Sequence, residues 1–263
     1  MSELVSYLLL GSVAGMLAGL LGVGGGLVIV PVLAWLFLQT GMAPEVLMHM
    51  AIGTSLATIV LTSLSSVWAH HHRGAVLWQT FLRMTPGIVL GVALGVTVAD
   101  RLPSETLRLI FGVFELMVAM QMALNLRPAA YRGLPGRWGL GVAGTAIGLV
   151  SAVVGIGGGT MSVPFLQWCN VPMRQAVATS AACGLPIALA GTLGFVLAGQ
   201  DSHGLPAWSS GYLYWPAFAG IVAASVPFAP LGARLAHLLP TAVLKRFFAL
   251  FLAFLGIRML WFG

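Results

Sequence analysis

The sequence predicts an all-α polytopic membrane protein made of two homologous halves. Three observations carry that prediction: composition, a duplicated glycine motif, and the spacing of the apolar segments. Apolar residues fill 59% of the 263 positions and charged residues only 7%. A soluble domain carries roughly 25% charged residues. So few charges cannot cover a water-exposed surface, and a chain of this kind is counted in bilayer-spanning segments of ~20 residues.

The duplication is read directly. GSVAGMLAGLLGVGGGLVIVPVL (11–33) aligns with GTAIGLVSAVVGIGGGTMSVPFL (144–166) at one constant offset. Further on, AIGTS (51–55) pairs with AVATS (176–180), Trp78 with Trp215, Gly95 with Gly232, and Leu102-Pro103 with Leu239-Pro240. The preserved order divides the chain into a first transmembrane repeat at 1–126, a polar, basic linker at 127–137 and a second repeat at 138–263.

Each repeat opens on a long apolar stretch broken by GxGGG, 5–38 and 139–168, followed by three transmembrane segments. These are 46–69, 79–99 and 104–126 in the first half, and 173–199, 212–233 and 241–261 in the second. Three loops are basic: 70–83, 127–137 and 234–246. If each broken stretch is a re-entrant hairpin, every half crosses three times and all three basic loops share one side. The positive-inside rule then puts both termini outside, and an odd number of crossings makes the halves an inverted repeat. If each stretch instead crosses as a split helix, loop 234–246 falls opposite the other two. The first arm, 5–21, is nearly long enough to span, so the helix count stays between six and eight.

The net charge of +6 comes from basic residues scattered through short loops, not from a basic stripe, so no nucleic-acid partner is expected. His70-His71-His72 reads as part of a cytoplasmic loop beside Arg73, not as a metal tract. Cys169 and Cys183 have no CxxC spacing and are expected to be free thiols. The N-terminus lacks a basic n-region and a cleavage site, so it stays in the mature fold. No GxSxG, HExxH, Walker A or DxD pattern occurs. An enzyme, a cofactor and a metal are therefore not expected.

The sharpest chemical feature is the pair of triple glycines, Gly24-Gly25-Gly26 and Gly157-Gly158-Gly159. Glycine permits positive φ and leaves backbone N–H groups bare. A helix that starts at such a break in mid-membrane presents unpaired N–H groups and the positive end of its dipole. Two such ends brought together make an anion site without a buried Lys or Arg. Close helix packing is the alternative reading, and it suits Gly11/Gly15/Gly19 and Gly87/Gly91/Gly95 better than a triple glycine. Thr54-Ser55 and Thr179-Ser180 recur at matched positions as candidate hydroxyl donors; such hydroxyls also bond back to their own helix. His49 and Arg174 occupy equivalent positions and are candidates to attract substrate at opposite mouths, or to cap helix ends. Glu115 lies mid-segment and is either a proton carrier or paired structurally with an arginine such as Arg83.

At GVGGGLVIVPVL (22–33), GIGGGTMSVPFL (155–166), AIGTS and AVATS, the chain resembles the sulfite exporter TauE/SafE family. HHHRGAVLW (70–78) and LGARLAHLLP (231–240) are also similar, and the likeness covers nearly the whole chain. It departs at 208–215, WSSGYLYW, where a basic-acidic loop is expected. The resemblance implies transport of sulfur-containing anions such as sulfite, sulfonates or thiosulfate. The expectation is a multi-pass secondary transporter of a bacterial-type inner membrane, an exporter with a small anionic substrate and a lipid environment. A homo-oligomer is left open. The alternatives are a passive anion channel and, in a different class, a membrane-embedded enzyme.

Overall fold

The structure, a computed structural model, describes residues 2–21, 25–124, 133–236 and 241–261. The first half comprises α1 (Ser2–Leu21), α2 (Gly26–Gln39), α3 (Pro44–His72), α4 (Trp78–Arg101) and α5 (Ser104–Ala123). The second comprises α6 (Arg137–Val154), α7 (Gly159–Trp168), α8 (Met173–Ala198), α9 (Trp215–Ala236) and α10 (Thr241–Trp261). A two-stranded antiparallel hairpin, β1 (Ser209–Ser210) and β2 (Leu213–Tyr214), precedes α9.

Local chemistry sets the boundaries. α3 opens on Pro44 with Glu45 in its first turn, where a fixed φ and a negative charge both suit a helix start. α5 and α8 begin directly after Pro103 and Pro172. α6 ends at Gly155, whose φ of 74° is the left-handed cap that favours glycine. Five described helices, α3, α4, α5, α6 and α8, are long and apolar enough to cross a bilayer. Their outward faces carry apolar rows at helical spacing, such as Leu109, Val113, Met117 and Met120 on α5 and Leu189, Leu193 and Leu197 on α8. In a multi-pass membrane protein those rows meet lipid.

The halves interlock. α1 packs along α9, α6 along α4, α3 against α8 and α5 against α10, so every one of these pairs joins one half to the other. The contacts also match across the repeat: Gly11 and Gly15 lie on Ile221 and Ser225, and Gly144 and Gly148 lie on Met84 and Ile88. A Cβ on Gly15 would fall 2.5 Å from the Ser225 carbonyl oxygen, and one on Gly144 2.5 Å from that of Met84. Bare backbone is needed for these helices to approach so closely. Residue numbers climb together along both pairs, so α1 runs parallel to α9 and α6 to α4.

The broken stretches pair a long arm with a short one. α2 and α7 have 14 and 10 residues, or about 21 and 15 Å at ~1.5 Å per residue, too short to cross. Tyr7 near the start of α1 and Phe37 near the end of α2 both pack edge-on against Tyr214, with ring centroids 6.3 and 5.7 Å away. The first stretch therefore doubles back on itself.

Two expectations are corrected. His70, His71 and His72 form the last turn of α3, because the apolar helix runs on until Gly74 at φ 59° stops it. The segment expected from about 212 opens in the hairpin turn and runs through β2, and its helix starts at Trp215. Most of the linker, residues 127–132, lies outside the described residues.

Candidate functional site

The two glycine breaks meet. Gly25 stands at φ 72° before α2, and its carbonyl accepts the N–H groups of Val28 and Ile29 at 3.0 Å. A Cβ on Gly26 would lie 2.8 Å from the Gly155 carbonyl oxygen and 3.0 Å from Ile156 Cα. The backbone that starts α2 thus touches the backbone that ends α6, one from each half. Gly155, Ile156, Gly157 and Gly158 are buried. α7 starts at Gly159, and its ladder begins with the Ser162 N–H donating to Gly158 O at 2.8 Å. The amides of 159–161 precede that ladder. Gly24 lies outside the described residues.

The hydroxyls divide into three roles. Ser55 on α3 donates to Gly155 O at 2.9 Å and pins the left-handed turn of the opposite half. Thr54 accepts the Tyr214 N–H at 3.1 Å, and Thr179 accepts the Leu77 N–H at 3.0 Å. The two threonines are repeat equivalents, and so are their partners, each the residue before a tryptophan that opens the next helix. Each thus holds a tight turn, entered at Gly74 (φ 59°) or Gly211 (φ 53°). Ser180 is 1% exposed, and its hydroxyl has no hydrogen-bond partner.

His49 and Arg174 are placed differently despite their equivalence. His49 is buried, stacked on Tyr212 at 4.9 Å, with its Nε2 3.0 Å from Ala99 O. The Tyr212 hydroxyl donates to Asp100 at 3.3 Å and shares a 2.7 Å bond with Ser202, and burial raises its phenol above the ordinary value. Arg174 is exposed and donates to Arg73 O at 3.3 Å. Glu115 is fully buried, and neither carboxylate oxygen has a partner. The pairing with Arg83 is not seen; among the described residues the ion pair found is Arg108–Glu105 at 3.8 Å. α5, which carries Glu115, packs on α10 and on α3, the helix it shares with the breaks.

Two residues escaped the sequence reading. Thr160 and Ser162 sit in the first turn of α7, directly after the second break, with buried hydroxyls that have no partner. Their counterparts in the first half are Leu27 and Ile29, so a search for polar residues matched across the repeat passes over them. Their position one turn past GIGGG was the signal available.

Comparison with known proteins finds a family of membrane transporters. The family model for the sulfite exporter TauE/SafE matches residues 7–259. A probable membrane transporter protein of Haemophilus influenzae is 38% identical over 254 residues, covering 96% of each chain. The probable membrane transporter protein YunE of Bacillus subtilis is 31% identical, covering 67% of this chain and 72% of its own. No solved structure matches the chain. A duplicated GxGGG signature, a family-model match over residues 7–259 and a transporter relative aligned over 96% of both chains lead to one conclusion: this chain belongs to the sulfite exporter TauE/SafE family.

Proposed function

We propose that the chain is a secondary exporter of small sulfur-containing anions, such as sulfite, sulfonates or thiosulfate, in the inner membrane. The observation that carries this reading is the contact between Gly26 and Gly155, which joins the two breaks at the boundary of the halves. The anion lies against the amides of Gly25 and Gly26 at one helix start and of Gly157, Gly158 and Gly159 at the other. Helix N-termini attract anions through bare N–H groups and the macrodipole. Ser180, Thr160 and Ser162 supply unengaged hydroxyls. Thr54 and Thr179 keep a proton to donate while their oxygens hold the tight turns, and Ser55 fixes the turn at Gly155.

The halves are taken as an inverted repeat whose two hairpins enter from opposite faces, with both termini outside. The parallel runs of α1 with α9 and α6 with α4 support this, as does the shared side of the basic loops. Glu115 is the proton carrier: an acid buried without a partner inside a membrane-spanning helix marks a functional position. Arg174, exposed at the start of α8, attracts substrate at one mouth; His49, expected at the other, is buried and stacked on Tyr212 and has a packing role instead.

The test is flux in proteoliposomes containing the purified chain and a panel of sulfite, thiosulfate, sulfoacetate, taurine, sulfate and chloride. Saturable counterflow of one sulfur anion supports the reading. Flux without saturation or counterflow makes the chain a channel, and no flux of any sulfur anion sets the substrate class aside.

A further inference from the structure

We infer that the cleft between α2, α3, α5 and α10 is a binding site for one anionic phospholipid, with its phosphate on Arg258 and Arg108. The cleft has a volume of about 350 Å³, within the ~300–1,000 Å³ range of small-molecule sites. It lies apart from the glycine breaks, at the end of the molecule where α2 and α10 finish and α3 and α5 begin.

Its lining is both polar and apolar. Ser104, Glu105 and Arg108 in the first turns of α5 and Arg258 in the last turn of α10 line it together with an apolar wall of Pro31, Val32, Leu47 and Leu255, which lie farther from those helix ends or on α3. Trp35 and Leu38 belong to the same cleft and are 41% and 46% exposed, so the wall runs out onto the apolar surface. A free inorganic anion has no use for that wall. An acyl chain does, and the two arginines supply what a phosphate needs.

The two arginines are not equally committed. Arg108 donates to Met259 O at 2.8 Å and stands 3.8 Å from Glu105, so it partly serves the open carbonyls at the end of α10. Arg258 stacks over Trp35 at 4.9 Å from its ring centroid, and among the described residues it has neither an ion pair nor a hydrogen bond. Its guanidinium fork is therefore unspent, and a phosphate accepts that fork through two oxygens. A stacked Trp–Arg pair at a membrane interface also fits a headgroup at that depth.

The site is tested on the full chain in zwitterionic micelles, independently of any transport assay. Native mass spectrometry and melting curves are recorded with phosphatidylglycerol, phosphatidylcholine and water-soluble glycerol phosphate. The expected result is that one phosphatidylglycerol is retained and raises Tm, while phosphatidylcholine and glycerol phosphate do neither. R258Q should weaken phosphatidylglycerol roughly five-fold, since one basic residue near anionic lipid contributes about 1 kcal/mol. R258K keeps the charge but loses the fork and the stack on Trp35, so it should bind more weakly than the parent and more tightly than R258Q. This covers the case in which R258Q does not fold: binding by R258K equal to the parent's would overturn the role of the fork. L255W, which fills the apolar wall, should abolish retention with both arginines intact. Equal retention of the two lipids, or full retention in folded R258Q, overturns the site. Glycerol phosphate competing as well as the intact lipid makes it a free-anion site, which also overturns the proposal.

Discussion

At the scale of single residues, the structure separates groups that bind from groups that build. Thr54 and Thr179 each accept a backbone N–H from a tight turn 160 and 102 residues away. T54V and T179V should therefore strand a buried donor and cost about 1–3 kcal/mol of stability, read as a lower melting temperature, with T54S and T179S near the parent. The pairing of these threonines was legible in the sequence; the partners that occupy them were not, because the long separations are set only by tertiary packing. Thr160 and Ser162 were missed for a related reason, since they break the repeat instead of obeying it. Glu115 was legible as a lone acid in an apolar segment, but its lack of a partner was not, since pairing with an arginine such as Arg83 stayed open. Its burial without a partner sharpens the expected outcome. E115Q should abolish flux driven by a pH gradient while leaving counterflow intact. Unchanged pH-driven flux would return Glu115 to a structural role.

At the scale of elements, the glycines sort by what a Cβ would meet. On Gly91 it would overlap the Thr145 carbonyl, closing off the approach of α4 and α6; on Gly141, one turn away on α6, it would meet nothing within 4 Å. G91A should lower melting temperature and yield by an amount in the overpacking range of about 1–3 kcal/mol, and G141A should leave both unchanged. Equal behaviour of the two variants would mean that α4 and α6 do not pack this closely. The helix boundaries were largely readable from apolar length and proline position. The hairpin at 209–214 was not: it forms on Gly211 at φ 53° and on the bond from Trp215 N–H to Trp208 O at 3.1 Å. Nor was the lateral cleft, whose Trp35 and Arg258 meet only because α2 and α10 finish at the same end.

At the scale of the whole molecule, the proposed transport needs two halves facing opposite ways and sharing one ligand. Cysteines placed at Gly41 and Ser202 should react with an impermeant thiol reagent applied outside intact cells, and one at Gly133 should not. The shared ligand is tested most directly by titrating the transported anion into folded variants of each break. Gly158 is a poor choice, because a Cβ there would fall 2.9 Å from Ser180 O and 3.1 Å from Gly184 N and would strike α8. Gly157 is better, since its Cβ would meet only Ile59 Cγ2 at 3.4 Å. Gly25 also has room, with Ile29 Cδ1 nearest at 3.4 Å, although its φ of 72° adds strain. G25V and G157A should each keep a cooperative melt yet lose affinity by roughly 5- to 150-fold, the equivalent of about 1–3 kcal/mol. Anion affinity equal to the parent's in both folded variants would contradict the account, leaving the breaks as packing devices and the ligand elsewhere.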